Sequence, residues 1–236
     1  MKSENAQIKI LALIPAYNEE ERVAEVVRGA GAYLPVLVVD DGSVDNTPER
    51  AEAAGATVLR QGTNQGKGAA LQAGFRWALE AGYQVVLTLD ADGQHDPVEI
   101  PKFLQAYEAG AGDLIVGQRD FSHMPPARRF ANWFGRRSFS WAMRMPIHDN
   151  QSGYRLISQR LMEAVLDSPV GGFEFEVEMI VVCVRQGYTL GWVPIRTIYA
   201  GERSHIRPWT HTRNYFRMLW RARRGGSKTN PKYIKR

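Results

Sequence analysis

The apolar positions of this chain fall into short uninterrupted runs separated by longer stretches in which apolar residues recur every three to four positions. Ile8 to Ile14 and Val36 to Val39 are β-branched runs, and Thr57 to Leu59 and Val85 to Leu89 are two more. The runs predict strands, and Val85 to Leu89 predicts a buried parallel one. Glu19 to Tyr33 and Gly68 to Ala81 have helical apolar spacing, and Asp45 and Asn46 before Thr47-Pro48 predict a helix start leading into Pro48 to Ala54. Strands alternating with helices of this length mean βαβ units and a mainly parallel sheet.

The second half continues with a helix over Pro97 to Tyr107 and a strand over Asp113 to Gly117. An arginine-rich block from Pro125 to Met145 follows, with Trp133, Phe134, Phe139 and Trp141 at helical spacing. A turn at His148 to Gly153 precedes a strand at Tyr154 to Ile157, helices at Gln159 to Leu166 and Phe173 to Gln186, and a strand at Leu190 to Val193. The chain has no internal repeat. The expected architecture is one α/β domain over residues 1–206, its central sheet flanked by helices, with a basic C-terminal segment over 207–236.

At 236 residues, with 44% hydrophobic and 23% charged, the chain can bury a full core as one large domain. No run approaches the ~18 to 20 apolar residues of a membrane span, and Met1 to Lys9 lacks the apolar core of a signal peptide, so the expected location is the cytosol. The single cysteine, Cys183, lies in an apolar segment and reads as a buried, inert thiol.

Charge is unevenly distributed. Of 30 basic residues, eleven lie from Arg203 onward with no acid among them, leaving 19 against 25 acidic residues, or −6, over residues 1–202. A second acid-free stretch, Phe121 to His148, holds Arg128, Arg129, Arg136, Arg137 and Arg144. Two basic blocks on an acidic body imply an anionic partner: nucleic acid, an anionic membrane surface or a phosphorylated substrate.

The richest chemistry follows the fourth strand, in Asp90-Ala91-Asp92-Gly93-Gln94-His95-Asp96-Pro97. Two carboxylates one position apart at the carboxyl edge of a sheet are hard oxygen ligands suited to Mg²⁺ or Mn²⁺ and a substrate diphosphate. The same residues also suit a plain turn, since Asp-Gly and Asp-Pro are turn signals. Three other segments belong on that edge: Pro15-Ala16-Tyr17-Asn18-Glu19-Glu20, Asp40-Asp41-Gly42-Ser43 and Asn64-Gln65-Gly66-Lys67-Gly68. They can supply a shelf for a base (Tyr17 or Pro15), a carboxylate for base or ribose (Asp41 or Asp40) and a cation for phosphate (Lys67). The lysine loop lacks the Walker A pattern, and no G-x-G-x-x-G follows the first strand.

Pro15 to Glu19, Val39 to Ser43, Asp90 to Pro97, Gly117-Gln118-Arg119 and Asp149-Asn150-Gln151-Ser152-Gly153-Tyr154-Arg155 resemble, in this order, the motifs of family 2 glycosyltransferases of GT-A fold. The branch most similar is that of dolichol-phosphate mannosyltransferase and related polyprenyl-phosphate enzymes, and the resemblance covers roughly residues 8–206. It implies a GDP- or UDP-hexose donor, inversion at the anomeric carbon, and a metal held by Asp90, Asp92 and Gln94. It also implies a nucleotide side made of Pro15, Tyr17, Glu19, Asp40, Asp41, Lys67, Asp90 and Ala91. Asp92, Asp149 and Arg119 become candidate catalytic residues. The alternative within the family is a hydroxyl acceptor on a glycan, glycolipid or protein.

A lipid-phosphate acceptor needs arginines, whose fork matches phosphate, and Arg119, Arg128, Arg129 and Arg203 are the candidates. Asp149 is expected to orient the acceptor, to serve as a base, or to cap the turn at Ser152-Gly153. Arg155 is divided between substrate contact and an ion pair. The sequence departs from the branch after its last strand, where Tyr199 stands near an expected arginine and His205 in place of a lysine. The transmembrane helices of many relatives have no counterpart here. Thr210 to Arg224 instead puts Arg213, Arg217 and Arg221 on one helical side and Phe216 and Leu219 on the other, as an interfacial helix would. Membrane contact at the inner face would then come through residues 210–224, the Arg128 block or a membrane partner protein. A basic tail without a nucleic-acid-binding fold does not make nucleic acid the partner.

Overall fold

The computed structural model describes residues 8–120, 126–170, 172, 174–196 and 223, without the side chains of 126–128, 130 and 131. The Arg128 side chain, Arg203 and the Thr210 to Arg224 helix, Arg223 apart, lie outside the described residues.

Seven strands form one sheet: β1 (Ile10–Ala16), β2 (Val36–Asp40), β3 (Thr57–Arg60), β4 (Val85–Thr88), β5 (Leu114–Arg119), β6 (Arg155–Ser158) and β7 (Leu190–Ile195). Their spatial order is β3-β2-β1-β4-β6-β5-β7. Successive residues of a strand face opposite sides, so β1 sends Leu11 and Leu13 into one apolar layer and Ala12 and Ile14 into the other. The first layer is closed by α3 (Lys67–Glu80), α5 (Pro126–Met143), α6 (Gln159–Val165) and α7 (Glu174–Arg185), which supply Phe75, Phe139, Leu161 and Phe175. The second is closed by α1 (Val23–Gly31), α2 (Thr47–Ala53) and α4 (Ile100–Glu108), through Val23, Val27, Ala51 and Phe103. A Cβ on Gly74 would sit 2.5 Å from a Leu13 methyl, so the missing side chain lets α3 lie close against β1.

Two features of the topology build the site. From β1 the chain runs outward through β2 and β3, then returns to β4 on the other side of β1, and a reversal of this kind opens a crevice at the strands' carboxyl ends. The loops after β1 and β4 flank that crevice. Secondly, β6 runs antiparallel to both β4 and β5, with Thr88 opposite Arg155. The segment before β6, Asp149 to Tyr154, therefore reaches the same edge as the segments after β4 and β5.

The helix expected from Glu19 starts at Val23, because Glu19 and Glu20 are drawn into the neighbouring loop: their backbone N–H groups donate to Thr47 Oγ1 (2.7 Å) and Asp45 Oδ2 (3.2 Å). The helix expected from Pro97 opens instead as a 3₁₀ turn capped by Asp96, which accepts from the Val98 amide.

Candidate active site

Each predicted segment reaches the carboxyl edge, and the backbone there is closely tied. Asn18, with φ 55°, donates its amide to Ser43 Oγ and accepts from the Val44 amide, joining the loops after β1 and β2. Pro15 is half-buried beneath this junction, while Tyr17 is 45% exposed at its rim. Asp40 and Asp41 are both buried and both hold loop backbone. Asp40 accepts from the Ser43 amide; Asp41 takes the Gln65 and Gly66 amides at 2.8 Å each and so anchors the loop that starts α3.

Lys67, the first residue of α3, points its ammonium into the centre of the site. It meets Asp90 Oδ1 at 2.5 Å and Glu176 Oε1 at 2.8 Å. Burial alone would lower its pKa, but the two carboxylates reverse that and raise it. Burial alone would also raise the Asp90 carboxyl, and there the Lys67 ammonium wins and holds it at about 2. Glu176 is a residue that sequence reasoning missed. It is one of three glutamates in the first turns of α7, with Glu174 and Glu178, and only the packing of α7 beside α3 shows that its charge answers Lys67.

Asp92 is held above the ordinary carboxylate range, first by burial and then by the neighbouring Asp90 charge. Glu19 is raised for similar reasons, burial first and the Asp92 charge next. The Gln94 amide donates to Asp92 Oδ1 at 2.9 Å, shaping the turn, and Ala91 is buried beneath it. His95 is buried, and its Nδ1 accepts from the Asp90 amide at 3.0 Å. That bond puts the ring proton on Nε2, and burial holds the ring in its neutral form. Its ring lies against Tyr154, with centroids 5.0 Å apart.

The third wall comes from β5 and the segment before β6. Arg119 grips Asp149 through both ends of its fork, Nε to Oδ2 at 2.7 Å and Nη2 to Oδ1 at 3.0 Å. Asp149 is buried and also accepts from the Gln151 and Ser152 amides, so it combines the predicted turn cap with an arginine pair. The Arg119 charge reaches Asp90, whose carboxyl it helps lower. Among the described residues Arg155 spends its donors on backbone. Fully buried, it donates to the backbone carbonyls of Ser152, Asn150 and Glu176, tying the turn to the start of α7. Of the other candidate arginines, Arg129 is exposed on α5.

Among the described residues no cluster of three or more His, Cys, Asp or Glu side chains forms a metal cage. The donor set at Asp90 and Asp92 is nevertheless chemically right for Mg²⁺ or Mn²⁺, which bind through one or two carboxylates and complete their shell with phosphate oxygens and water. A cation would also relieve the mutual repulsion that raises Asp92.

The pattern of glycosyl transferase family 2 matches residues 12–166. An undecaprenyl-phosphate mannosyltransferase of Micrococcus luteus is 35% identical over 80% of this chain and 83% of its own length. A UDP-N-acetylglucosamine-dolichyl-phosphate N-acetylglucosaminyltransferase of Methanococcus voltae is 30% identical over 80% and 86%. Among solved structures, glucosyl-3-phosphoglycerate synthase of Mycobacterium tuberculosis, in complex with Mn²⁺, UDP-glucose and phosphoglyceric acid, superposes with a TM-score of 0.73 at 18% identity, over 95% of this chain and 82% of that one.

Proposed function

Because this chain belongs to glycosyl transferase family 2 and is a glycosyltransferase of GT-A fold, we propose that it moves a hexose, with inversion, from a GDP- or UDP-hexose to the phosphate of a polyprenyl or dolichyl lipid. The observation that carries this reading is the Asp90 carboxylate at the strands' carboxyl edge, with the Lys67 ammonium against it and the Arg119 charge within electrostatic reach. The names of the Micrococcus and Methanococcus relatives, both lipid-phosphate glycosyltransferases, support the same acceptor class.

Tyr17 offers a ring face to the base, and Asp40 and Asp41 order the loops that border the ribose, with Pro15 and Ala91 beneath them. A Mg²⁺ or Mn²⁺ ion held by Asp90 and Asp92, with Gln94 beside them, would neutralise charge developing on the leaving diphosphate. Lys67 adds fixed positive charge there, and Glu19 adds to the negative field that favours a cation. Arg119, with Arg128, Arg129 and Arg203 as further candidates, orients the acceptor phosphate. A phosphate oxygen then attacks the anomeric carbon from the face opposite the diphosphate. The bond from that carbon to the diphosphate oxygen breaks, the nucleoside diphosphate leaves with the electron pair, and the configuration inverts.

No proton must be removed, since a phosphate monoester with a second pKa near ~6 is mostly dianionic at neutral pH. This suits Asp149, whose oxygens are already occupied by Arg119 and the turn amides, as a positioning residue in place of a base. Among the described residues no helix is long and apolar enough to cross a membrane. In this reading the protein meets its lipid acceptor at the inner face of the membrane.

The test is transfer of label from GDP- or UDP-hexoses, with Mn²⁺ or Mg²⁺, to polyprenyl phosphate. Label should enter the organic phase, and Asp92→Asn should abolish both transfer and metal-dependent nucleotide binding without unfolding the protein. Near-normal turnover by that variant would remove Asp92 from the site; label confined to water-soluble hydroxyl acceptors would overturn the acceptor assignment.

A further inference from the structure

The helix α5 buries Phe139, Ala142 and Met143 in the sheet-facing core. At 100° per residue the opposite side carries Arg129, Trp133, Phe134, Arg137 and Trp141. All five are exposed, with Trp133 and Phe134 at 49% and Trp141 at 63%. A solvated helix face normally carries charge throughout; this one puts three of the largest apolar side chains in water. Its charges are all of one sign, because no Asp or Glu occurs between Phe121 and His148.

Arg223 meets the same face: its guanidinium lies 4.2 Å from the Trp141 ring centroid and donates to the Trp141 carbonyl. The combination of Trp and Phe between arginines is that of a helix lying at a membrane interface, with rings at the headgroup boundary and guanidinium groups on lipid phosphates. A second copy of this chain would instead set arginine against arginine.

We propose that the Arg129–Trp141 face of α5 is a docking surface for an anionic lipid bilayer. The inference rests on the lipid-phosphate reading and deepens it. The segment carrying α5 begins just after Arg119 and ends just before Asp149, so the docked helix and the acceptor-side pair belong to one continuous stretch of chain.

Co-sedimentation of the full chain with phosphatidylcholine vesicles, with and without phosphatidylglycerol, tests it. Binding should require the anionic lipid and fall with salt. Arg129→Gln with Arg137→Gln should weaken it by about fivefold per arginine removed. The triple change Trp133→Ser, Phe134→Ser, Trp141→Ser should abolish binding while leaving the melting temperature, and turnover on a short water-soluble prenyl phosphate, unchanged. Vesicle binding indifferent to the α5 changes, or lost only when Arg213, Arg217 and Arg221 become Gln, would overturn the proposal. So would a wild-type dimer that the aromatic changes dissociate, with no vesicle binding in either form. If wild-type protein fails on both soluble and lipid phosphates, the acceptor reading falls, and the sedimentation result still decides the role of α5.

Discussion

At Gly153 one hydrogen atom stands where any other residue would put carbon. A Cβ there would lie 2.8 Å from both carboxylate oxygens of Asp90 and from Lys67 Nζ. The turn before β6 can press onto the Lys67–Asp90 pair only because this side chain is missing. Gly153→Ala should therefore displace the pair, destabilise the fold by ~1–3 kcal/mol through overpacking, and weaken nucleotide-sugar binding. Denaturant unfolding and calorimetric titration check this, and unchanged values in both would mean that the turn yields without disturbing the pair. The Asp90 and Asp92 carboxylates could be read from their spacing alone. The Lys67–Glu176 contact could not, since the two residues are over a hundred positions apart and nothing local in either segment marks the other.

At the scale of elements, the reversed strand β6 does the most to assemble the site, and Arg155 fastens it. Its guanidinium is fully buried on three backbone carbonyls that join the Asn150 to Ser152 turn to the amino end of α7, where Glu176 sits. Removing a charged donor strands those carbonyls, at roughly 1 kcal/mol or more each. Arg155→Met should thus lower stability by about 3 kcal/mol or more and free both the Asp149 turn and Glu176, with activity lost beyond what the loss of stability explains. A chemical-denaturation midpoint close to wild type would show that the latch is dispensable.

For the whole molecule, the neutral His95 links stability to pH. Burial depresses its pKa below the ordinary 6.5, so the unfolded chain takes up a proton more readily than the folded one. Its contribution is complete above that ordinary value and is lost as pH falls through the depressed one. Asn in its place keeps an acceptor for the Asp90 amide but cannot titrate. His95→Asn should therefore lose less stability than wild type between about pH 7 and pH 5, read from melting temperatures. Equal acid slopes for the two proteins would show that His95 is not held neutral.

The strands, most helices and the alternation that makes an α/β sheet were legible because apolar periodicity is a local property that each segment states for itself. The edge motifs were legible for the same reason, down to Asp90, Asp92 and the turn cap at Asp149. Tertiary structure alone decided that β6 runs backward, which brings Asp149 and Gly153 beside Asp90, and that Arg155 is spent on carbonyls. It alone gave Lys67 a second carboxylate in Glu176 and turned three aromatics of α5 outward. Each of these depends on which segments meet across the sheet. A one-dimensional pattern records how a segment is built, while charge pairing and exposure depend on what packs against it.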